Sequence, residues 1–356
     1  MNKPLLDLYS DYLICSFGST TATGLADMLD GAVSHDKITR FLAEKDFTSA
    51  DLWHLVKPMV RRVENTTAVL VIDDSIEEKK YTDESELICW HFDHTVGRSV
   101  KGINFLTCLY RTDEVALPVA YQLIQKTQWE TDKKTKKQKR VCPKTKNDYF
   151  REMVDLCIKN VLPFSYVLAD SWFSSVENMI HLKGDLGVEF IFPLKENRNV
   201  ALSKEDKLAG RYINITDAIK EANLAFEVWL PGVSFPVLLC KQVFTNKDGS
   251  QGVLYLVSSD RELSASAMQA IYQKRWKVEE YHKSVKSNAG FAKSPTKTIR
   301  TQSNHLFSCL WAYVKLESLR ITTKMNHFAI KGRLYRAAIA SAYSQWRAIK
   351  PREALA

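Results

Sequence analysis

The sequence predicts an α/β protein: a mixed sheet flanked by helices, with a helical segment before it and a β-rich stretch inside it. Three observations predict this class. Residues 1–66 carry apolar side chains at helical spacing. From Thr67, apolar runs of strand length alternate with helical stretches, and residues 196–258 hold short strands between turn signals. The 356 residues are enough for two or three structural units with a sizeable core. Apolar and charged fractions of 45% and 26% exclude a disordered, collagen-like or coiled-coil chain.

Taken in order, Leu5, Leu6, Leu8, Tyr9, Tyr12, Leu13 and Ile14 predict a first helix, and Leu25, Met28 and Leu29 a second over residues 21–29. Asp30-Gly31 makes a turn, and Ser34 caps a helix over 35–44 with Ile38, Phe41 and Leu42 facing inward. This outline fits a helix-turn-helix presenting His35, Lys37, Thr39 and Arg40 outward, and equally an ordinary helical hairpin. Ala68-Val-Leu-Val-Ile72 reads as a central strand buried on both faces. Strands at 102–110 and 116–124 follow, then a helix at 148–161, a strand at 165–169, a short helix at 174–183 and a strand at 188–194. The β-rich stretch opens on polar residues 197–207. Its strands at 225–230, 237–244 and 253–257 are divided by Pro231-Gly232 and Asn246-Lys247-Asp248-Gly249. One long helix is expected at 264–287, ending at Asn288-Ala289-Gly290. The expected segments are therefore 1–66, 67–195, 196–258, 259–323 and a basic helical 324–356.

The formal charge of +9 comes from 50 Lys and Arg against 41 Asp and Glu, unevenly placed. One block is Lys133, Lys134, Lys136, Lys137, Lys139, Arg140, Lys144 and Lys146, with Asp132 against it. Another is Lys324, Lys331, Arg333, Arg336, Arg347, Lys350 and Arg352. Such blocks are either solvated faces or contacts to a phosphate backbone, where each neutralised phosphate releases a counterion. Seven cysteines without a C-x-x-C pair point to a reducing cytoplasm. The longest apolar run, near 305–314, is broken by Ser308 and falls short of a membrane span, and the N-terminus has too short an apolar stretch for a signal peptide. A phosphate-cradling G-x-x-x-x-G-K-[ST] loop is missing, so ATP use is not indicated.

Three places put carboxylates at the margin of the expected core. Asp73 and Asp74 end the strand Val69–Ile72, and Asp170 ends the strand before Trp172. Acids at the carboxyl ends of apolar strands sit where open α/β folds keep their sites, although a lone Asp there also starts a loop or caps a helix. The third place is the long helix, where Tyr272, Arg275, Glu279, His282 and Lys286 fall within roughly an 80° stripe. Ile271, Val278 and Val285 lie beside it, facing the core. A salt-bridged solvent face would also give this stripe. Taken together, the acids suggest a divalent-metal site, because Mg²⁺ takes hard oxygen ligands and a metal pair can drive phosphodiester cleavage.

Tyr272-x2-Arg275-x3-Glu279-x6-Lys286 resembles the Y-R-E-K signature of bacterial insertion-sequence DDE transposases without a spacing departure. Asp93-His94-Thr95-Val96-Gly97 to Lys101-Gly102-Ile103 is also similar to a segment of that family. The resemblance covers about residues 65–290. It implies an RNase H-like catalytic core with a β-rich insertion and an N-terminal helical DNA-binding domain. Asp74, Asp170 and Glu279 would be the catalytic, metal-binding triad, with Mg²⁺ or in its place Mn²⁺. Asp74 is chosen over Asp73 because the family's first Asp commonly precedes Ser or Thr, here Ser75. Tyr272, Arg275 and Lys286 would contact transposon-end DNA, and Lys37 and Arg40 would read it from the N-terminal helices. The resemblance further implies double-stranded DNA as partner, a homodimer bridging two ends, and a cytoplasmic, nucleoid-associated protein without a membrane.

Trp172 and Trp276 are expected to pack rather than to stack on a displaced base. His282 faces the site by spacing but is not assigned as a ligand. Cys89, His91, Asp93 and His94 could be zinc ligands, but strand alternation divides them between faces and no second ligand pair follows. A domesticated DNA-binding protein and a stand-alone RNase H-like nuclease are the other readings. The complete triad counts against the first, and the N-terminal helices against the second.

Overall fold

The structure is a computed structural model that describes residues 1–94, 96–131, 133, 136–245 and 248–349. The expectations on Thr95, Asp132, Lys134, Asn246, Lys247, Lys350 and Arg352 lie outside the described residues. The chain opens with α1 (Lys3–Cys15), α2 (Ala22–Met28), α3 (His35–Ala43) and α4 (Ser49–Val63). Each begins on a polar cap, with Asn2, Thr21, Ser34 and Thr48 accepting a backbone N–H of the first turn. The α2–α3 turn takes φ of 50° at Asp30 and 77° at Gly31, where a glycine costs nothing. On α3, Ile38, Phe41 and Leu42 are buried, while His35, Lys37, Thr39 and Arg40 are exposed.

Then come β1 (Val69–Glu78), β2 (Cys89–Asp93), β3 (Arg98–Arg111), β4 (Ala116–Leu123), β5 (Gln128–Thr131) and β6 (Gln138–Val141). Next follow α5 (Lys146–Lys159), β7 (Tyr166–Leu168), α6 (Val176–Met179) with a π-helical turn over Ile180–Asp185, and β8 (Glu189–Leu194). Small elements bridge to the next strands: β9 (Asn199–Val200), α7 (Lys204–Leu208), β10 (Ile213–Asn214) and α8 (Ile215–Ala218). After these come β11 (Ala225–Trp229), β12 (Pro236–Thr245) and β13 (Gln251–Ser258). The chain then runs through α9 (Ala265–Gln273), a 3₁₀ turn (Lys274–Trp276), α10 (Lys277–Ser287), α11 (Ile299–Thr323) and α12 (His327–Ile349).

The main sheet has the order β11-β12-β13-β8-β7-β1-β3-β2, with β4 also paired to β3. Around its centre, β1 is antiparallel to β3 and parallel to β7, and β7 is parallel to β8. The β-rich stretch does not stand apart. β13 pairs antiparallel with β8, so those strands extend the same sheet. The N-terminal helices share its core too: α1 and α3 pack on α11, and α4 on β4.

Three elements depart from the sequence reading. β1 continues through both aspartates to Glu78 because β3 pairs with it all the way to Gly102. A Cβ on Gly102 would stand 2.2 Å from the Glu77 carbonyl oxygen, so the close approach requires glycine. β2, β5 and β6 are short and lack an apolar run, and burial in β2 alternates. The long helix is divided by the 3₁₀ turn at residues 274–276, which shifts the angular positions beyond it.

Candidate active site at the ends of the central parallel strands

Because β1 and β7 run parallel with Val71 opposite Leu168, the segments leaving them emerge side by side. This brings Asp73 and Asp74 near Asp170, two residues past β7. Alternation along β1 then separates the first two acids. Asp73 lies opposite Thr107, which receives the hydroxyl of Tyr281 on α10 (3.4 Å). Asp74 lies opposite Leu106, on the face where α5 begins.

Each acid already has a partner. Asp73 Oδ2 is 3.1 Å from Arg275 Nη2, and its Oδ1 accepts the backbone N–H of Asp74 at 2.9 Å. Asp74 Oδ2 accepts Lys146 Nζ at 2.7 Å and Asn104 Nδ2 at 3.0 Å. Asp170 Oδ1 accepts the backbone N–H of Trp172 at 2.9 Å. Burial pushes the Asp73 carboxyl up to about 7. Arg275 opposes that rise, and the charges of Asp170 and Asp74 add to it. Burial likewise raises Asp170, against the pull of Arg275.

The helical segment covering Asp73 supplies the rest. Tyr272 is buried and donates its hydroxyl to the carbonyl of Ala169 at 3.2 Å, pinning the strand end beside Asp170. Arg275 sits in the 3₁₀ turn and feels Asp73, Asp170 and Glu279. Glu279 is exposed, one turn further on. Lys286 donates to the carbonyl of Ile76 on β1 at 2.5 Å and feels the charge of Glu279. His282 is buried instead against Phe105 (ring centroids 5.6 Å), and burial presses its pKa down to about 3. It is therefore a neutral packing residue at physiological pH.

Lys37 and Arg40 are not part of this cluster. They stand on the exposed face of α3, with Arg40 Nε donating to the Asp36 carbonyl. Cys89 and His91 share the buried face of β2, Sγ 3.3 Å from Nε2. The packing expected of Trp172 and Trp276 is corrected, since they are 49% and 63% exposed. Trp276 sits in the 3₁₀ turn, off the stripe of Val278 and Val285. Trp172 leaves a strand end at the rim, its ring 5.7 Å from His94 and 5.8 Å from Lys146 Nζ. Two partners of Asp74 had not been assigned to the site. Lys146 was visible only as one lysine of the basic block. Asn104 had a signal that went unused, an amide inside the apolar run Ile103–Leu106.

Hard carboxylate oxygens in this place suit a divalent cation in kind, and the mutual repulsion of the three aspartates is what such a cation relieves. Asn104 Oδ1 and Arg275 Nε are buried there without a hydrogen-bond partner. The acids do not converge as arranged. Among the described residues, no three His, Cys, Asp or Glu side chains are grouped to hold an ion, and Arg275 and Lys146 occupy Asp73 and Asp74.

Acids at the ends of adjacent parallel strands, faced by a helical segment bearing Arg275, Glu279 and Lys286, form a site of the phosphodiester-cutting kind. A family model described as DDE superfamily endonuclease (DDE_5) matches residues 2–212, more than half of the chain, and the chain belongs to that family. Membership supports transposase or nuclease activity of the metal-dependent kind on DNA. Asp73, Asp74 and Asp170 fall within the matched residues, and Glu279 beyond them. No curated protein matches the chain. Among the described residues, no helix is long and apolar enough to cross a membrane.

Proposed function

We propose that this chain is a cut-and-paste DNA transposase of a bacterial insertion sequence, of the Y-R-E-K class. It would bind the terminal inverted repeats, cleave the ends and join the freed 3′-OH groups to target DNA. The observation that carries the reading is the meeting of Arg275 with Asp73, within reach of the charges of Asp170 and Glu279. It joins the strand-end acids to the signature segment across about 200 residues of sequence. The central strands support an RNase H-like core: β4, β3 and β1 are antiparallel neighbours, followed by parallel β7 and β8.

In this reading Asp170, Glu279 and the β1 acids hold Mg²⁺, or Mn²⁺ in its place. The metal supplies an activated water and charge neutralisation at the phosphate. For the β1 acid, the face shared with the signature segment favours Asp73 over Asp74. Arg275 and Lys146 hold the phosphate backbone, Tyr272 fixes the chain entering Asp170, and Lys286 stands beside β1 for the neighbouring phosphate. Lys37 and Arg40 on α3 reach the end sequence, and a cytoplasmic dimer bridges two ends.

The test is cleavage of a labelled duplex carrying the DNA that flanks this gene, with Mg²⁺, with Mn²⁺ and with chelator. Metal-dependent cutting confined to the element's ends supports the transposase. Cutting without end preference identifies a nuclease, and binding without cutting a DNA-binding protein. Glu279→Gln should abolish the cut while leaving binding, and unchanged cutting sinks its role. Asp73→Asn and Asp74→Asn assayed side by side decide the strand-end acid.

A further inference from the structure

We propose that the free half of α12 is the contact by which two copies of this chain associate, as an antiparallel helical pair. Lys331 anchors the start of the helix by donating to the carbonyls of Leu13, Ile14 and Ser16 at the end of α1. Beyond that anchor the helix leaves the body, and every residue over 335–349 is exposed. Fifteen residues make about 22 Å of helix, a length that is marginal alone in water. Yet this stretch carries Tyr335, Ile339, Tyr343, Trp346 and Ile349, exposed by 49, 49, 61, 61 and 75%.

The spacing identifies the occupant. Phe328, Gly332, Tyr335, Ile339, Ala342, Trp346 and Ile349 are separated alternately by four and three residues, a seven-residue repeat sustained over three turns of the pattern. A seam of this period fits another helix lying alongside; a lipid surface asks for a broader apolar face. The seam is also complementary to itself. Antiparallel pairing sets Gly332 opposite Ile349, Tyr335 opposite Trp346 and Ile339 opposite Ala342. Parallel pairing would set Trp on Trp and Gly on Gly, crowding one layer and emptying another. Arg333 and Arg347 lie off the seam, so pairing leaves their charges in water.

The area suffices. At roughly 150–250 Å² for a large side chain, the exposed fractions leave on the order of 600 Å² of apolar surface per copy, and about 1,200 Å² for a pair reaches the lower edge of a specific interface. A two-fold pair of this kind is the commonest closed assembly. The proposal deepens the dimeric transposase reading by naming the contact. Its test reads mass rather than cleavage, so the two can fail separately.

The experiment is light scattering on the full chain, without DNA, from about 1 to 100 µM. The expected result is twice the monomer mass. Ile339→Glu and Trp346→Glu should each weaken association at least 100-fold, with an unchanged far-ultraviolet circular dichroism spectrum because both sites are exposed. Ser344→Glu, off the seam, should remain dimeric. A chain that is monomeric throughout, or a dimer indifferent to both seam substitutions, overturns the proposal. For orientation, Ile339→Cys chains mixed with Ala342→Cys chains, each also carrying Cys15→Ser, should cross-link. Self-cross-linking of the Ala342→Cys chain alone overturns the antiparallel seam.

Discussion

The carboxylates of the site are held by the protein's own cations, and Lys146 is the one whose removal is most informative. Its Nζ lies 2.7 Å from Asp74 Oδ2, with side-chain exposures of 24% and 18%. A divalent ion can take Asp74 only after displacing that ammonium. The gross attraction at about 4 Å and an effective dielectric near 20 is about 4 kcal/mol. Rehydration of the freed lysine offsets much of it, leaving about 1–3 kcal/mol, or roughly 5–150-fold in metal affinity. DNA relieves the same restraint by offering phosphates to Lys146 and Arg275. Wild-type chain should therefore bind Mn²⁺ about tenfold or more tightly with end DNA than without. Lys146→Gln should bind Mn²⁺ more tightly in the absence of DNA, and the gain on adding DNA should shrink. Free Mn²⁺ measured by electron paramagnetic resonance, with and without an uncleavable duplex, gives all four affinities. An equal gain from DNA in wild type and variant refutes the reasoning. So does wild-type affinity that ignores DNA, since metal and DNA must then engage the acids independently.

Other consequences are local. Tyr272→Phe removes the hydroxyl bonded to Ala169 and leaves a buried carbonyl unpaired, so stability should fall by about 1–3 kcal/mol in denaturant titrations. Cleavage should fall further than DNA binding as Asp170 loses its anchor. Gly102→Ala would place a methyl group against the Glu77 carbonyl. It should destabilise the chain by about 1–3 kcal/mol or prevent soluble expression; a wild-type urea midpoint would contradict the close approach. Glu317 is buried, which by itself would raise its pKa, but hydrogen bonds from His327, Arg320 and the backbone N–H of Ala116 hold it at about 2, below its ordinary 4.5. A depressed carboxylate stabilises the fold at pH values above 4.5 and loses that contribution as pH falls towards 2, at most about 3 kcal/mol in all. Glu317→Gln should flatten the stability profile over that window, and an unchanged slope would assign acid sensitivity elsewhere.

The secondary structure was legible wherever apolar periodicity set it. Ile38, Phe41 and Leu42 announced α3, and Val69–Ile72 announced the buried half of β1. Its polar half was hidden because residues 73–78 are held by pairing with β3, a partner no local pattern names. The strands expected as a separate insertion join the main sheet for the same reason: β13–β8 pairing is a fact about distant segments. The 3₁₀ turn at 274–276 escaped because Lys274, Arg275 and Trp276 are all acceptable in a helix. One consequence was to mistake an exposed Trp276 for a packed one.

The two adjacent aspartates show where the limit lies. Strand alternation guarantees that Asp73 and Asp74 face opposite ways, so the sequence already implied that only one of them faces the signature segment. Which one depends on the face that segment covers, and that is decided by packing far away. Val278 and Val285 are fully buried, and Tyr281 of α10 donates its hydroxyl to Thr107, the cross-strand neighbour of Asp73. Once that face is taken, α5 meets Asp74 through Lys146 on the other. Ser75 could suggest a motif register, but it carries no information about either helix. The geometry favours Asp73 because Arg275 reaches it, and the paired Asn substitutions test that preference directly.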